Sequence, residues 1–146
     1  MTYAPVLTAV QIERIRLLAC ARQVTAGEVL YDPDDDTPPA FIVISGSIQV
    51  VAIGGGEERI VTTYQAGQFS GELLMISRRR SIYRCRVVDS GTLLELSARD
   101  LRTLIARDAE LSDIFMKAFL ARRLSLRDSG QSNVVILGSK YSEFQT

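Results

Sequence analysis

The sequence predicts a mainly β domain with flanking α-helices, in the order helix, β-roll, helices. Three observations carry this. From Gly27 to about Leu96, short runs of β-branched and aromatic residues alternate with turn residues, the pattern of an all-β sandwich or barrel. A capped amphipathic segment precedes that region. Two longer helical patterns follow it.

Taken in order, Thr8-Ala-Val-Gln11 has the form of a capping box. Val10, Ile12, Ile15, Leu17 and Leu18 then recur at roughly helical spacing, so a helix is expected from about Ala9 to Cys20. The expected strands are Glu28–Tyr31, Phe41–Ser45, Ser47–Ala52, Arg59–Tyr64, Tyr83–Val88 and Thr92–Leu96. Between them Asp32–Pro39, Gly54-Gly-Gly56, Ala66-Gly67 and Asp89-Ser-Gly91 read as turns or loops. Ser97 is placed to cap a helix over Ala98–Ala106. Asp108 precedes a longer helix to about Leu126, on which Leu111, Ile114, Phe115, Ala118 and Phe119 share one face. Asp128–Asn133 reads as a polar linker, and Val134-Val-Ile-Leu137 as the opening strand of a different unit. The expected organisation is therefore a domain over residues 1–127, followed by a linker and the start of a further domain over 128–146.

Composition narrows the chemistry. The 146 residues are 47% hydrophobic and 23% charged, enough for one soluble domain with a proper core. Lys+Arg and Asp+Glu are 17 each, so no overall field concentrates the chain on nucleic acid or anionic membrane, and anion recognition must be local. Histidine is absent and the two cysteines, Cys20 and Cys85, are far apart. That removes the commonest general base and metal ligand, and with them serine–histidine, cysteine–histidine and structural zinc chemistry. No apolar run approaches the roughly 20 residues of a membrane-spanning helix. With no signal peptide read ahead of the cysteines, both are expected to be small buried hydrophobes in a reducing cytoplasm. No catalytic and no metal-binding residue is assigned.

The segment that carries chemistry is Gly67-Gln-Phe-Ser-Gly-Glu-Leu-Leu-Met-Ile-Ser-Arg-Arg-Arg-Ser-Ile-Tyr83, which interrupts the strand pattern. Gly71–Met75 has good helix formers but is too short to hold a helix alone, so tertiary contacts must support it. Its first turn would leave backbone N–H groups unpaired, and Gly71 would let an anion approach them closely. Arg80 can grip phosphate oxygens bidentately and the Ser81 hydroxyl can add one more bond. Glu72 would repel a bare phosphate but is suited to accept from a sugar hydroxyl. Phosphate and ribose together point to a nucleotide.

On these residues the chain resembles the cyclic nucleotide-binding domain family. Phe69-Ser-Gly-Glu-Leu73 with Arg80-Ser81 looks like the family's phosphate-binding cassette, and Gly27-Glu-Val-Leu-Tyr31 and Phe41-Ile-Val-Ile-Ser-Gly46 look like its earlier strand motifs. The resemblance covers roughly Leu7 to Leu126. It implies a double-stranded β-helix, a jelly-roll-like β-roll, that binds cAMP or cGMP as a regulatory ligand, with no intrinsic cofactor. Carried over, Glu72 would hold the ribose 2′-hydroxyl, and Gly71 and Leu73 would offer backbone N–H groups. Arg80 and Ser81 would hold the cyclic phosphate, and Met75 would relay occupancy to the helices, with Phe69, Ile82 and Tyr83 lining the pocket or sharing that relay. The chain departs from the family in a slightly short loop from Glu72 to Arg80 and in Ile82-Tyr83, where many members carry small residues. The tail Val134–Ser142 resembles the start of the reductase portion of bacterial thioredoxin reductase-like proteins that carry such a module.

Blander readings compete. Arg78-Arg-Arg80 with Arg84 and Arg86 could form a nucleic-acid patch, but strand alternation sends only Arg84 and Arg86 to one face, so a solvated surface is expected for all but Arg80 and no direct nucleic-acid binding. Gly54–Gly56 lacks the Lys-Ser/Thr of a phosphate loop and reads as a hairpin tip. The Leu111–Phe119 face is core by default, with a homodimer seam on the long helix and a lid over the base as added roles. Two alternatives remain for the whole chain: the sensor of a catabolite-activator-like transcription regulator lacking its DNA-binding domain, and a β-roll scaffold that no longer binds ligand.

Overall fold

A computed structural model of the chain describes residues 5–35, 38–71 and 82–131. They form α1 (Ala9–Arg16), β1 (Cys20–Val24), β2 (Val29–Tyr31), β3 (Ala40–Val43), β4 (Ser47–Gly54), β5 (Glu57–Tyr64), β6 (Phe69–Ser70), β7 (Tyr83–Asp89), β8 (Gly91–Leu96), α2 (Ala98–Arg107) and α3 (Ala109–Gln131). The strands make two antiparallel four-stranded sheets, β1-β8-β3-β6 and β2-β7-β4-β5. This is the mainly β roll with flanking helices that the sequence predicts.

Two cores hold the layers together, and alternation along β3 divides its side chains between them. Phe41 and Val43 point between the sheets, where they meet Ile48, Val50, Tyr64, Tyr83, Cys85, Val87 and Leu93. Ala40 and Ile42 point outward, where Phe69, Leu94 and Leu96 join Leu101, Leu104, Leu111, Phe115, Ala118 and Phe119 of the helices. β3 is thus buried on both faces, which is why it reads as an unbroken apolar run.

The three helix starts are capped as the sequence predicts. Thr8 and Gln11 exchange capping-box bonds of 2.9 and 3.2 Å, Ser97 Oγ accepts from Asp100 N at 3.1 Å, and Asp108 Oδ1 accepts from Leu111 N at 3.0 Å. Gly55 and Gly56, both at positive φ, turn the β4–β5 hairpin.

Several expectations need correction. α1 stops at Arg16 rather than Cys20, because Cys20 begins β1 against Glu95 of β8. Val10 and Leu17, assigned to the apolar face of α1, are exposed, and Ile15 is that helix's one buried residue. Cys20 is exposed, since β1 buries only Val24, whereas Cys85 is buried as expected. α3 runs through Asp128, Ser129 and Gly130 to Gln131, so the expected linker begins as helix, and the boundary after residue 127 falls inside that helix. The expected strand Val134–Leu137 lies outside the described residues.

Arg84 and Arg86 do share one face of β7, but as partners in an ion-pair network. Arg84 Nε lies 2.6 Å from Asp32 Oδ1, and Arg86 Nη1 2.9 Å from Glu58 Oε1, with Gln49 accepting from Arg86. Each of the two guanidiniums on this face thus has a carboxylate partner.

Candidate functional site

The cassette begins on β6, a two-residue strand held at its place by neighbours rather than by its own length. It pairs with β3 through Phe41↔Ser70 and Ile42↔Phe69. The preceding turn is closed by Gln68 N donating to Gln65 O at 2.9 Å and is clipped to the N-terminal segment by Leu7 N donating to Gly67 O at 2.8 Å.

Phe69 faces the helices. Its ring meets Phe115 edge-on at 4.6 Å and Phe119 at 5.9 Å, while Phe115 and Phe119 stack on each other at 5.8 Å. Such geometries contribute about 0.5–1.5 kcal/mol per pair beyond burial. Gly71 follows at φ +153, a conformation that side-chain-bearing residues avoid, and a methyl built on it would sit 2.9 Å from Ala40 Cβ and 3.0 Å from Phe119 Cζ. The backbone at the head of the cassette therefore lies directly on α3.

Arg122, one turn beyond Phe119, is 1% exposed. Its guanidinium lies over the Tyr64 ring at 4.6 Å and the Phe69 ring at 4.5 Å, and Nη1 donates to Phe69 O at 2.5 Å. Burying a cation is costly, and the two ring faces and the charge-assisted bond offset part of that cost. The residue also makes a further interaction beyond these. Sequence reading missed Arg122, although continuing the Phe115, Ala118, Phe119 stripe by one turn lands on it. An arginine on a core-facing stripe is the signal.

Of the residues singled out in the sequence, Phe69 and Gly71 are brought together with Phe115, Phe119 and Arg122. Ile82 is half-buried, with its carbonyl accepting from Ile53 N at 2.9 Å, and Tyr83 is buried in the roll interior beside Ala52. Glu72, Leu73, Met75, Arg80 and Ser81 lie outside the described residues. Among the described residues no group of side chains could hold a metal ion, and no helix is long and apolar enough to cross a membrane.

A second charged cluster sits where α2 meets α3. Arg14 Nε lies 2.7 Å from Asp108 Oδ2, and Arg14 Nη2 lies 2.5 Å from Glu110 Oε1. The Arg14 guanidinium, and next the Leu111 N–H, hold the Asp108 carboxyl below the usual aspartate range, and Asp108 and Glu110 together raise the Arg14 pKa. α1 is thus fastened to the start of α3.

Comparison with known proteins agrees with this architecture. A family model described as cyclic nucleotide-binding domain matches residues 21–108. A cyclic nucleotide-gated potassium channel of Mesorhizobium japonicum is 30% identical over 115 residues, 79% of this chain and 30% of that protein. A putative potassium channel protein of Rhodopseudomonas palustris is 28% identical over 106 residues, 73% of this chain and 26% of that one. The chain thus spans under a third of the curated relatives it matches. The crystal structure of Thermus thermophilus catabolite activator protein superposes with a TM-score of 0.68 at 24% identity, covering 86% of this chain and 59% of the other, a likeness of fold.

Proposed function

The chain belongs to the cyclic nucleotide-binding domain family, and from that premise we propose that it is a regulatory module that binds a cyclic nucleotide, cAMP ahead of cGMP, and passes occupancy to its C-terminal helices. In this reading Gly71 and Leu73 offer backbone N–H groups and Arg80 and Ser81 bind the cyclic phosphate. Glu72 accepts from the ribose 2′-hydroxyl, Met75 and Phe69 relay the change, and Ile82 and Tyr83 border the pocket.

One observation carries the coupling: Gly71 packs against Phe119 while Arg122 donates to the carbonyl of Phe69. A ligand that moves the backbone at Gly71 must move α3 or lose these contacts. Occupancy then shifts a helix equilibrium by the difference in affinity between the two states.

The test is displacement of a fluorescent cAMP analogue from wild type, Arg80→Ala and Glu72→Ala. Losing a bidentate charged donor is expected to weaken binding by roughly 2 kcal/mol or more, about thirtyfold. Unchanged affinity in Arg80→Ala would remove that residue from the site. Fusion to a thioredoxin reductase-like enzyme is supported by the resemblance of Val134–Ser142 alone, and the reading frame after codon 146 of the source gene tests it.

A further inference from the structure

Ser70 is 1% exposed, and its hydroxyl has no hydrogen-bond partner among the described residues. Buried hydroxyls are nearly always paired, because leaving one unpaired destabilises the fold.

Its direction follows from the sheet. Ser70 pairs with Phe41, whose ring belongs to the core between the two sheets, whereas Phe69 on the same strand faces the helices. Residues opposite each other in an antiparallel pair point to the same side, so the Ser70 hydroxyl points into the roll interior. It does so one residue before Gly71. The Arg122 guanidinium, bonded to the Phe69 carbonyl, holds the peptide group that carries the Ser70 nitrogen.

We infer that Ser70 is a ligand-contacting residue whose hydroxyl, without a partner among the described residues, hydrogen-bonds the bound cyclic nucleotide. The inference rests on the reading of the chain as a cyclic nucleotide-binding module. A hydroxyl both donates and accepts, so it can meet a sugar oxygen or a ring nitrogen. Its cost to the empty fold is recovered when the ligand supplies the missing partner.

The experiment compares wild type, Ser70→Ala and Ser70→Thr by isothermal titration with cAMP and with cGMP, and by thermal melting without nucleotide. Ser70→Ala should weaken the preferred nucleotide roughly three- to tenfold, the effect of one neutral hydrogen bond. It should leave the nucleotide-free melting temperature unchanged or raised, and Ser70→Thr should recover affinity. Equal affinity of Ser70→Ala and wild type would overturn the role of Ser70 while leaving nucleotide binding intact. A nucleotide-free Ser70→Ala that melts lower would overturn it too, by giving the hydroxyl a structural partner. A wild type that binds neither nucleotide would remove the module reading, and this inference with it.

Discussion

Gly71→Ala is the sharpest probe of the junction between cassette and helix. The added methyl would lie 2.9 Å from Ala40 Cβ and 3.0 Å and 3.3 Å from two ring carbons of Phe119. Ala40 is a short side chain on a strand buried on both faces and cannot turn aside, and Phe119 is held between Phe69 and Phe115. Overpacking of this kind costs about 1–3 kcal/mol. The backbone at φ +153 adds a second cost for any residue with a Cβ, also of order 1–3 kcal/mol. Partial relaxation at each makes a loss of about 3 kcal/mol the expected result. Urea denaturation followed by circular dichroism measures it, with an unchanged slope showing that the same surface unfolds. A variant within about 0.5 kcal/mol of wild type would show that Gly71 does not rest on α3, and the proposed coupling would lose its contact.

Two further outcomes follow from the same geometry. Arg122→Met replaces a buried guanidinium by an apolar chain and leaves the Phe69 carbonyl without its charged donor, so stability should fall by about 1–3 kcal/mol and cyclic nucleotide affinity should fall with it. Full stability with full affinity would contradict the positioning role given to Arg122. At low pH, the Asp108 carboxyl, held below its ordinary range by Arg14 and the Leu111 N–H, contributes stability that is present above its unfolded pKa and lost as pH falls through the lower folded value. Stability should therefore decline on acidification below about pH 4, and Arg14→Gln should flatten that decline. An Arg14→Gln titration identical to wild type would remove the Arg14–Asp108 pair as its source.

What the sequence made legible follows from how strongly each element is patterned. The central strands alternate or run apolar because they are buried on one or two faces, and all six were placed within a few residues. β1 was not seen because only Val24 along it is buried, leaving no periodicity, and the apolar residues from Ile15 to Cys20 read more naturally as helix. β6 was not seen because two residues carry no pattern, and it exists only through pairing with β3. The end of α3 was misjudged at Asp128-Ser-Gly130, whose residue types favour loops, yet the long helix continues through them. Gly71 was legible as a close-approach glycine, but what approaches it in the fold is Phe119, which only the tertiary packing reveals. Arg122 and Ser70 carry weak sequence signals for opposite reasons: one is a charged residue on a core stripe, the other a small polar residue on a strand too short to assign a face.

The central claim is that a cyclic nucleotide occupies the roll at the turn beginning with Gly71, and a crystal structure determined in the presence of saturating cAMP tests it most directly. The cyclic phosphate should lie against the Gly71 and Leu73 amides and the Arg80 guanidinium, with the ribose at Glu72 and Ser70 in contact with the ligand. Nucleotide bound away from this turn, or a roll interior that stays closed over Tyr83 at saturating cAMP and cGMP, would contradict it.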